Sequence, residues 1–171
     1  TNTGFGIAIS DQPPGAGQSA AKVIMDETAK VTLGMSLWDT GTGAHTILRQ
    51  VVAEELSIPV DDVRIVAEDT NAVDFESGPG GSRVTYTAGQ TVLGAVTELK
   101  DKLTAFAGEL FDHPQERIRL QNGQVVLDGP DGPDGQEPRE IPLPELAARA
   151  LDASEGEITG EFTFTAPASP L

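Results

Sequence analysis

Two glycine-rich stretches about forty residues apart have the composition of a backbone anion cradle. The first is Asp39-Thr40-Gly41-Thr42-Gly43-Ala44-His45-Thr46, and the second is Gly78-Pro79-Gly80-Gly81-Ser82-Arg83-Val84-Thr85. Each runs directly into a helical pattern. Glycine lets the main chain approach a ligand closely, and the free N–H groups of a helix's first turn attract negative charge. Two such junctions facing one pocket would cradle phosphates or a polar heterocycle. Either loop alone reads more simply as a tight connection without a ligand; the pair is what points to a site.

Other chemistries find less support. Gly41-Thr42-Gly43 is not followed by the lysine of a nucleotide-binding P-loop, and the spacing does not fit a dinucleotide fingerprint. His45 falls in a first helical turn and His113 precedes Pro114, with no second histidine or cysteine at ligand spacing, so capping or surface packing is the expected role of each. The acid pairs Glu54/Glu55, Asp61/Asp62 and Glu68/Asp69 are adjacent in sequence and so point to different faces, which suits a solvated surface better than acid–base catalysis. Ser82 lacks the partner set of a hydrolase nucleophile. Arg83 is the one cation in the second loop, where it either pairs with a surface acid or braces the loop or a ligand phosphate. Trp38, the only tryptophan, is expected in the core or in a pocket wall.

The chain has 171 residues, 38% of them apolar and 5% aromatic, which is ordinary for one α/β or α+β domain. No apolar run approaches the length of a membrane span. A net charge of −16 excludes nucleic acid and anionic membrane as partners, because both require a basic footprint. It also means that any anion must be held by local amides rather than by a bulk positive field. With no cysteine, the chain holds no disulfide and no iron–sulfur ligands, which fits a reducing, cytoplasmic location and puts redox centres elsewhere. The start Thr1-Asn2-Thr3-Gly4 lacks methionine and signal-peptide features, so a piece of a longer polypeptide is expected.

Elements that would position the loops follow from periodicity. Residues 4–10 read as a short strand. Alternation of Ala21, Val23 and Met25, then of Val31, Leu33, Met35 and Leu37, predicts a hairpin whose second arm delivers Trp38 and Asp39 to the first loop. Ile47, Leu48, Val51, Val52 and Leu56 form a helical stripe ending near Pro59, and residues 63–68 read as a strand. Ala88, Val92, Ala95, Val96, Leu99, Leu103, Phe106 and Leu110 predict a long helix lying across a sheet. Gly89 and Gly94 inside it each cost about 1 kcal/mol relative to alanine, which implies close contact with another backbone or with the loop. Asn122-Gly123 suits a type I′ turn pairing Leu120 with Val125 and Ile118 with Leu127. Residues 128–138 read as a solvent-exposed excursion, followed by a short helix with Pro144 and Glu145 in its first turn and a last strand through Ile158, Phe162 and Phe164. The expected fold is α+β, a mixed β-sheet with hairpins packed against two main helices and one short helix.

Beyond the loops themselves, Gln50, Ala53-Glu54-Glu55-Leu56-Ser57-Ile58-Pro59, Val63, Asp69-Thr70 and Gly81-Ser82-Arg83 through Gly89 complete a pattern that closely resembles the molybdenum hydroxylase family. That family contains xanthine dehydrogenase, aldehyde oxidase and aerobic carbon monoxide dehydrogenase. The resemblance covers residues 4–110 well and the remainder loosely. It implies the second cofactor-binding segment of the molybdopterin-binding large subunit, with residues 1–165 as the domain segment and 166–171 as a linker. Carried over by position, Thr40, Gly41, Thr42 and Gly43 approach the cofactor, and Gly80, Gly81, Ser82, Arg83 and Val84 line it, with backbone N–H groups as the expected donors. Thr42 stands where most relatives have glutamine between the two glycines, and its side chain is shorter.

The resemblance further implies molybdopterin as cofactor of the full-length parent, in its cytosine dinucleotide form if bacterial, with none held tightly by this segment alone. Expected partners are the rest of the large subunit and iron–sulfur and flavin domains or subunits. The family's catalytic glutamate, in a G-x-G-E motif, and its G-G-G-F-G motif are not in this chain. An oxidoreductase segment without catalytic residues or turnover of its own is therefore the leading expectation. The competing one is an acidic noncatalytic module that keeps the fold without the cofactor.

Overall fold

The computed structural model describes residues 2–10, 15–67, 76–128, 139–154 and 156–167. Asp69-Thr70, residues 11–14, most of the Asp-Gly-Pro excursion and the last residues of the tail lie outside these. Alternating apolar positions build a hairpin of β1 (Gly17–Met25) and β2 (Val31–Met35), closed by a turn in which Asp26 Oδ1 accepts hydrogen bonds from the N–H groups of Thr28 and Lys30. Helix α1 (Ala44–Leu56) carries the chain from β2 to β3 (Val63–Ala67), which runs parallel to β2 with Val31 opposite Val63. Helix α2 (Gly89–Phe111) follows a single π-helical turn over Val84–Ala88. Then come β4 (Ile118–Gln121), β5 (Gln124–Leu127), β6 (Glu140–Pro142), α3 (Leu143–Ser154) and β7 (Ile158–Ala166).

The strands form a four-stranded sheet of order β3-β2-β1-β7 and a three-stranded sheet of order β4-β5-β6. This is the α+β class that the periodicity predicts. Asn122 (φ 51) and Gly123 (φ 72) both take positive φ, as a type I′ turn requires, and the turn pairs Leu120 with Val125 and Ile118 with Leu127. One contiguous core runs between the sheets and helices, including Leu33 and Met35 of β2, Leu48 of α1, Leu99 and Leu103 of α2, and Leu143 and Leu146 of α3.

Residues 4–10 do not form the expected strand. Phe5, Ile7 and Ile9 alternate with small residues, yet they are 100%, 93% and 95% exposed, and neither sheet includes them. Alternation supplies one apolar face, but a strand also needs a neighbour with open backbone groups. The outer edge of β7 is partly taken by α2. The Glu98 carboxylate accepts the Glu161 N–H at 2.9 Å, and the Lys102 ammonium donates to the Thr159 carbonyl at 2.8 Å. Charged side chains folded over an edge strand in this way block further pairing.

Close helix–sheet contact falls elsewhere than Gly89 and Gly94 imply. Among the described residues a Cβ on Gly89 would have only the Val84 carbonyl near it, at 3.9 Å, and one on Gly94 would meet the Phe162 ring rather than backbone. The backbone-to-backbone approach is at Gly160 of β7, where a Cβ would stand 2.0 Å from the Ala95 carbonyl oxygen of α2. Ala166, expected in the linker, is the last residue of β7 and is buried opposite Gly17.

Candidate functional site

Strand directions gather four chain ends at one end of the larger sheet. β1 is antiparallel to β2 with Met25 opposite Val31, so the start of β1 lies beside the end of β2. Parallel pairing puts the end of β3 next to the end of β2, and Ala166 at the end of β7 faces Gly17 at the start of β1. The first glycine loop leaves from the end of β2. The second is tied to the residues that lead into β1: the Gly15 N–H donates to the Gly81 carbonyl at 2.6 Å, and Arg83 Nη2 donates to the Gln18 carbonyl at 2.9 Å. Trp38 joins the two loops, its ring 3.7 Å from the place a Cβ on Gly78 would take. At 59% exposure it is a wall beside the second loop and not a core residue.

In the first loop the Asp39 carboxylate turns back on the residues that follow it. Its Oδ1 accepts the N–H groups of Gly41 and Thr42 at 2.9 Å and of Gly43 at 3.2 Å, and Oδ2 accepts the His45 N–H at 3.4 Å. Partial desolvation pushes the Asp39 carboxyl upward, but the backbone N–H groups of Gly41, His45, Thr42 and Gly43 outweigh it and hold the group below the ordinary aspartate value. The amides expected to face an anionic ligand thus already serve an internal one. His45 Nε2 lies 2.8 Å from the Leu37 carbonyl, which makes it the donor and fixes the ring across the loop.

A carboxyl whose folded pKa is depressed contributes its tie above the unfolded value, about 3.9 for aspartate, and loses it as pH falls through the lower folded value. The amide protons of Gly41, Thr42 and Gly43 are therefore expected to shift together in an NMR titration, with one midpoint below the ordinary aspartate pKa. Asp39→Asn is expected to abolish that shared transition. Independent midpoints for the three amides would show that Asp39 does not hold them.

The second loop is organised from beneath. Arg83 and Glu76 form an ion pair whose side chains are 4% and 2% exposed, so the surface pairing considered for Arg83 gives way to a buried brace. Glu76 Oε1 accepts the Gly78 N–H at 3.1 Å, and Arg83 Nη1 donates to the Gly78 carbonyl at 3.0 Å as well as to Glu76. Gly81 (φ 68) and Ser82 (φ 56) then turn the chain into the π-helical start of α2. Among the described residues no atom lies within 4 Å of where a Cβ on Gly80, Gly41 or Gly43 would stand, so both loops present bare backbone there.

The structure therefore brings Thr40, Gly41, Thr42, Gly43, Gly80, Gly81, Ser82, Arg83 and Val84 to one end of the sheet, with the Arg83 guanidinium beneath the loop rather than on its outer side. A cleft of about 800 Å³ lies elsewhere, between the end of α1 and the β4–β5 turn, lined by Gln50, Ser57, Pro59 and Asn122 among others. None of the candidate residues borders it. Sequence reasoning missed the role of Asp39, although an aspartate just ahead of a helix start is a recognised capping signal. It also missed Glu76, for which no local pattern exists. No helix is long and apolar enough to cross a membrane among the described residues.

Fold and loops together give an α+β domain with two main-chain turns at one end of a mixed sheet. The family model for the molybdopterin cofactor-binding domain matches residues 1–170, and the chain belongs to that family. It is 27% identical over 97% of its length to the putative xanthine dehydrogenase molybdenum-binding subunit of Escherichia coli, covering 22% of that protein. To the carbon monoxide dehydrogenase large chain of Afipia carboxidovorans it is 30% identical over 64% of its own length and 15% of the relative's. Among solved structures, quinoline 2-oxidoreductase from Pseudomonas putida superposes with a TM-score of 0.73 at 29% identity, over 91% of this chain and 20% of that one. The chain thus spans about a fifth of the length of such relatives, and the resemblance to molybdenum hydroxylase large subunits holds.

Proposed function

We propose that this chain is the second molybdopterin-holding segment of a molybdenum-dependent oxidoreductase large subunit, and that its part is to present bare main chain to the cofactor from two glycine turns. The observation carrying this reading is that Gly41, Gly43 and Gly80 lie at one end of the sheet, with no atom of the described residues within 4 Å of where a Cβ on each would stand. The second loop is the better donor surface, because Asp39 already engages the amides of Gly41, Thr42 and Gly43. The Thr42 hydroxyl also donates to Asp39 Oδ1, at 3.3 Å, so contact at the first loop falls to Thr40 or requires Asp39 to let these groups go. The acidic chain offers no cationic field here, so dipolar contacts from backbone N–H groups dominate.

When bound, molybdopterin supplies the redox-active molybdenum, while this chain binds and orients it and contributes no acid or base. Relatives' names describe molybdenum-binding or large subunits, and the partners proposed accordingly are the remainder of the large subunit and iron–sulfur and flavin domains or subunits. The cytosine dinucleotide form of the cofactor, a domain segment over residues 1–165 and a cytoplasmic setting belong to the same reading.

The test is cofactor content of the full-length parent by metal analysis and pterin fluorescence. Molybdenum and pterin are expected in the parent. Gly80→Val is expected to lower both severalfold with the fold intact, since a Cβ there meets no atom of the described residues within 4 Å. A parent devoid of both would favour the noncatalytic module, and undiminished content in the Gly80→Val protein would remove the second loop from the site. The isolated chain is expected to oxidise neither aldehydes nor purines in the presence of an electron acceptor.

A further inference from the structure

We propose that the buried Glu76–Arg83 pair is a positioning strut that sets the height and tilt of the second glycine loop over the start of β1. The inference rests on the functional reading above only for its consequence at the cofactor; the strut itself is argued from the loop's own geometry.

Three features single the pair out. First, the two side chains close a ring around Gly78. Its N–H donates to Glu76 Oε1 and its carbonyl accepts a hydrogen bond from Arg83 Nη1, so one peptide unit on each side of Gly78 is held by opposite partners of the same ion pair. Second, Arg83 Nη2 reaches out of the loop to the Gln18 carbonyl in β1, while the Gly15 N–H holds the Gly81 carbonyl from the other side. Gly17 sits between these ties, and a Cβ there would come within 2.9 Å of Ser77 Oγ. The loop is thereby clamped to the strand and to the residues leading into it, while a Cβ on Gly80 would meet no atom of the described residues within 4 Å.

Third, the pair is poorly built for stability alone. Arg83 Nε and Glu76 Oε2 are buried without a hydrogen-bond partner among the described residues, as are Ser19 Oγ on β1 and Thr87 Oγ1 just before α2. Burying two charges costs desolvation that their mutual attraction repays only when the remaining valences are filled, so an apolar pair of similar volume would hold the fold about as well. What leucine and methionine could not do is fix the Gly78 peptide units and the Gln18 carbonyl in one mutual orientation. The planar guanidinium fork does this by directing two donors at fixed angles, a geometry that lysine lacks.

The experiment uses the full-length parent and three readouts: urea midpoint, amide hydrogen exchange of the peptide spanning residues 76–84, and molybdenum and pterin per polypeptide. Arg83→Met alone and Glu76→Leu alone are expected to lower the midpoint, each leaving one buried charge unpaired. The combined variant is expected to recover most of that loss while its loop peptide exchanges about tenfold or more faster than in the unaltered protein and its cofactor content falls. Arg83→Lys keeps the charge and provides a check should the combined variant not fold; its loop peptide is expected to exchange faster with little change in midpoint. Unaltered loop exchange in Arg83→Lys or in the combined variant would overturn the strut. Faster exchange with full cofactor content would overturn its link to the cofactor, and a parent holding no molybdenum or pterin at all would count against the functional reading while leaving exchange to decide on the strut.

Discussion

Gly160→Ala is expected to destabilise the domain by about 3 kcal/mol or more, the largest loss from any single added methyl here. A Cβ at this position of β7 would stand 2.0 Å from the Ala95 carbonyl oxygen and 2.7 Å from the Leu99 nitrogen, both backbone atoms in the middle of α2. Neither can swing aside as a side chain would. Relief requires α2 and β7 to separate, and that seam also carries the ties from Glu98 to the Glu161 N–H and from Lys102 to the Thr159 carbonyl. Gly94→Ala is the internal comparison. Its Cβ would fall 2.2 Å from Phe162 Cδ1, but that ring is 43% exposed on an edge strand and has room to move outward. The helix meanwhile gains about 1 kcal/mol from replacing glycine by alanine, so the net loss is expected to stay below about 1 kcal/mol. Urea midpoints of the two variants, measured side by side, check the contrast; equal losses would mean that the helix and strand do not meet at Gly160.

Leu99→Ala is expected to cost about 2 to 5 kcal/mol through the cavity it leaves. Leu99 is fully buried in α2, one of the residues of the common core, and it lies opposite the same Gly160 seam. Its value depends on how far the surroundings collapse. Backbone already packs against backbone at Gly160, so the helix has no slack in that direction to close over the missing atoms. A loss near the upper end of the range is expected for that reason. Leu110→Ala, on the same helix at 39% exposure, is expected to lose well under half as much. Chemical denaturation of both variants gives the comparison, and similar losses would place the core on the wrong face of α2.

The two predictions bear on function because α2 begins where the second glycine loop ends. Its π-helical first turn, Val84–Ala88, packs near β1, and the Arg83 carbonyl receives the Thr87 N–H at 2.6 Å. A shift of α2 on the sheet would carry the loop with it. The Glu76–Arg83 pair therefore holds the start of one lever by hydrogen bonds, and the Gly160 seam holds its middle by shape.

Local chemistry made much of this protein legible before any coordinates. The 3.6-residue stripes place α1 and α2 within a residue or so, since a helix is stabilised by contacts three and four positions apart that a short window contains. Asn122-Gly123 sets the register of β4 and β5 because its backbone preference is intrinsic to the two residues. The glycine motifs and their spacing were enough to indicate the family that the domain comparison then shows. What the sequence alone left open were relations between segments with no local signature. Alternation in residues 4–10 reads as a strand, yet pairing depends on a free edge, and α2 side chains occupy part of the one at β7. Nothing near Glu76 announces that Arg83 will meet it underground, nor that Gly160 rather than Gly94 marks the closest approach of helix and sheet. Even Asp39, a local capper, acquires its meaning only through the fold, where its carboxylate occupies the amides that the motif leads one to expect facing a ligand. Periodicity and turn preference are written in neighbouring residues; burial, pairing and the direction in which a charge points are set by atoms that only the folded chain brings together.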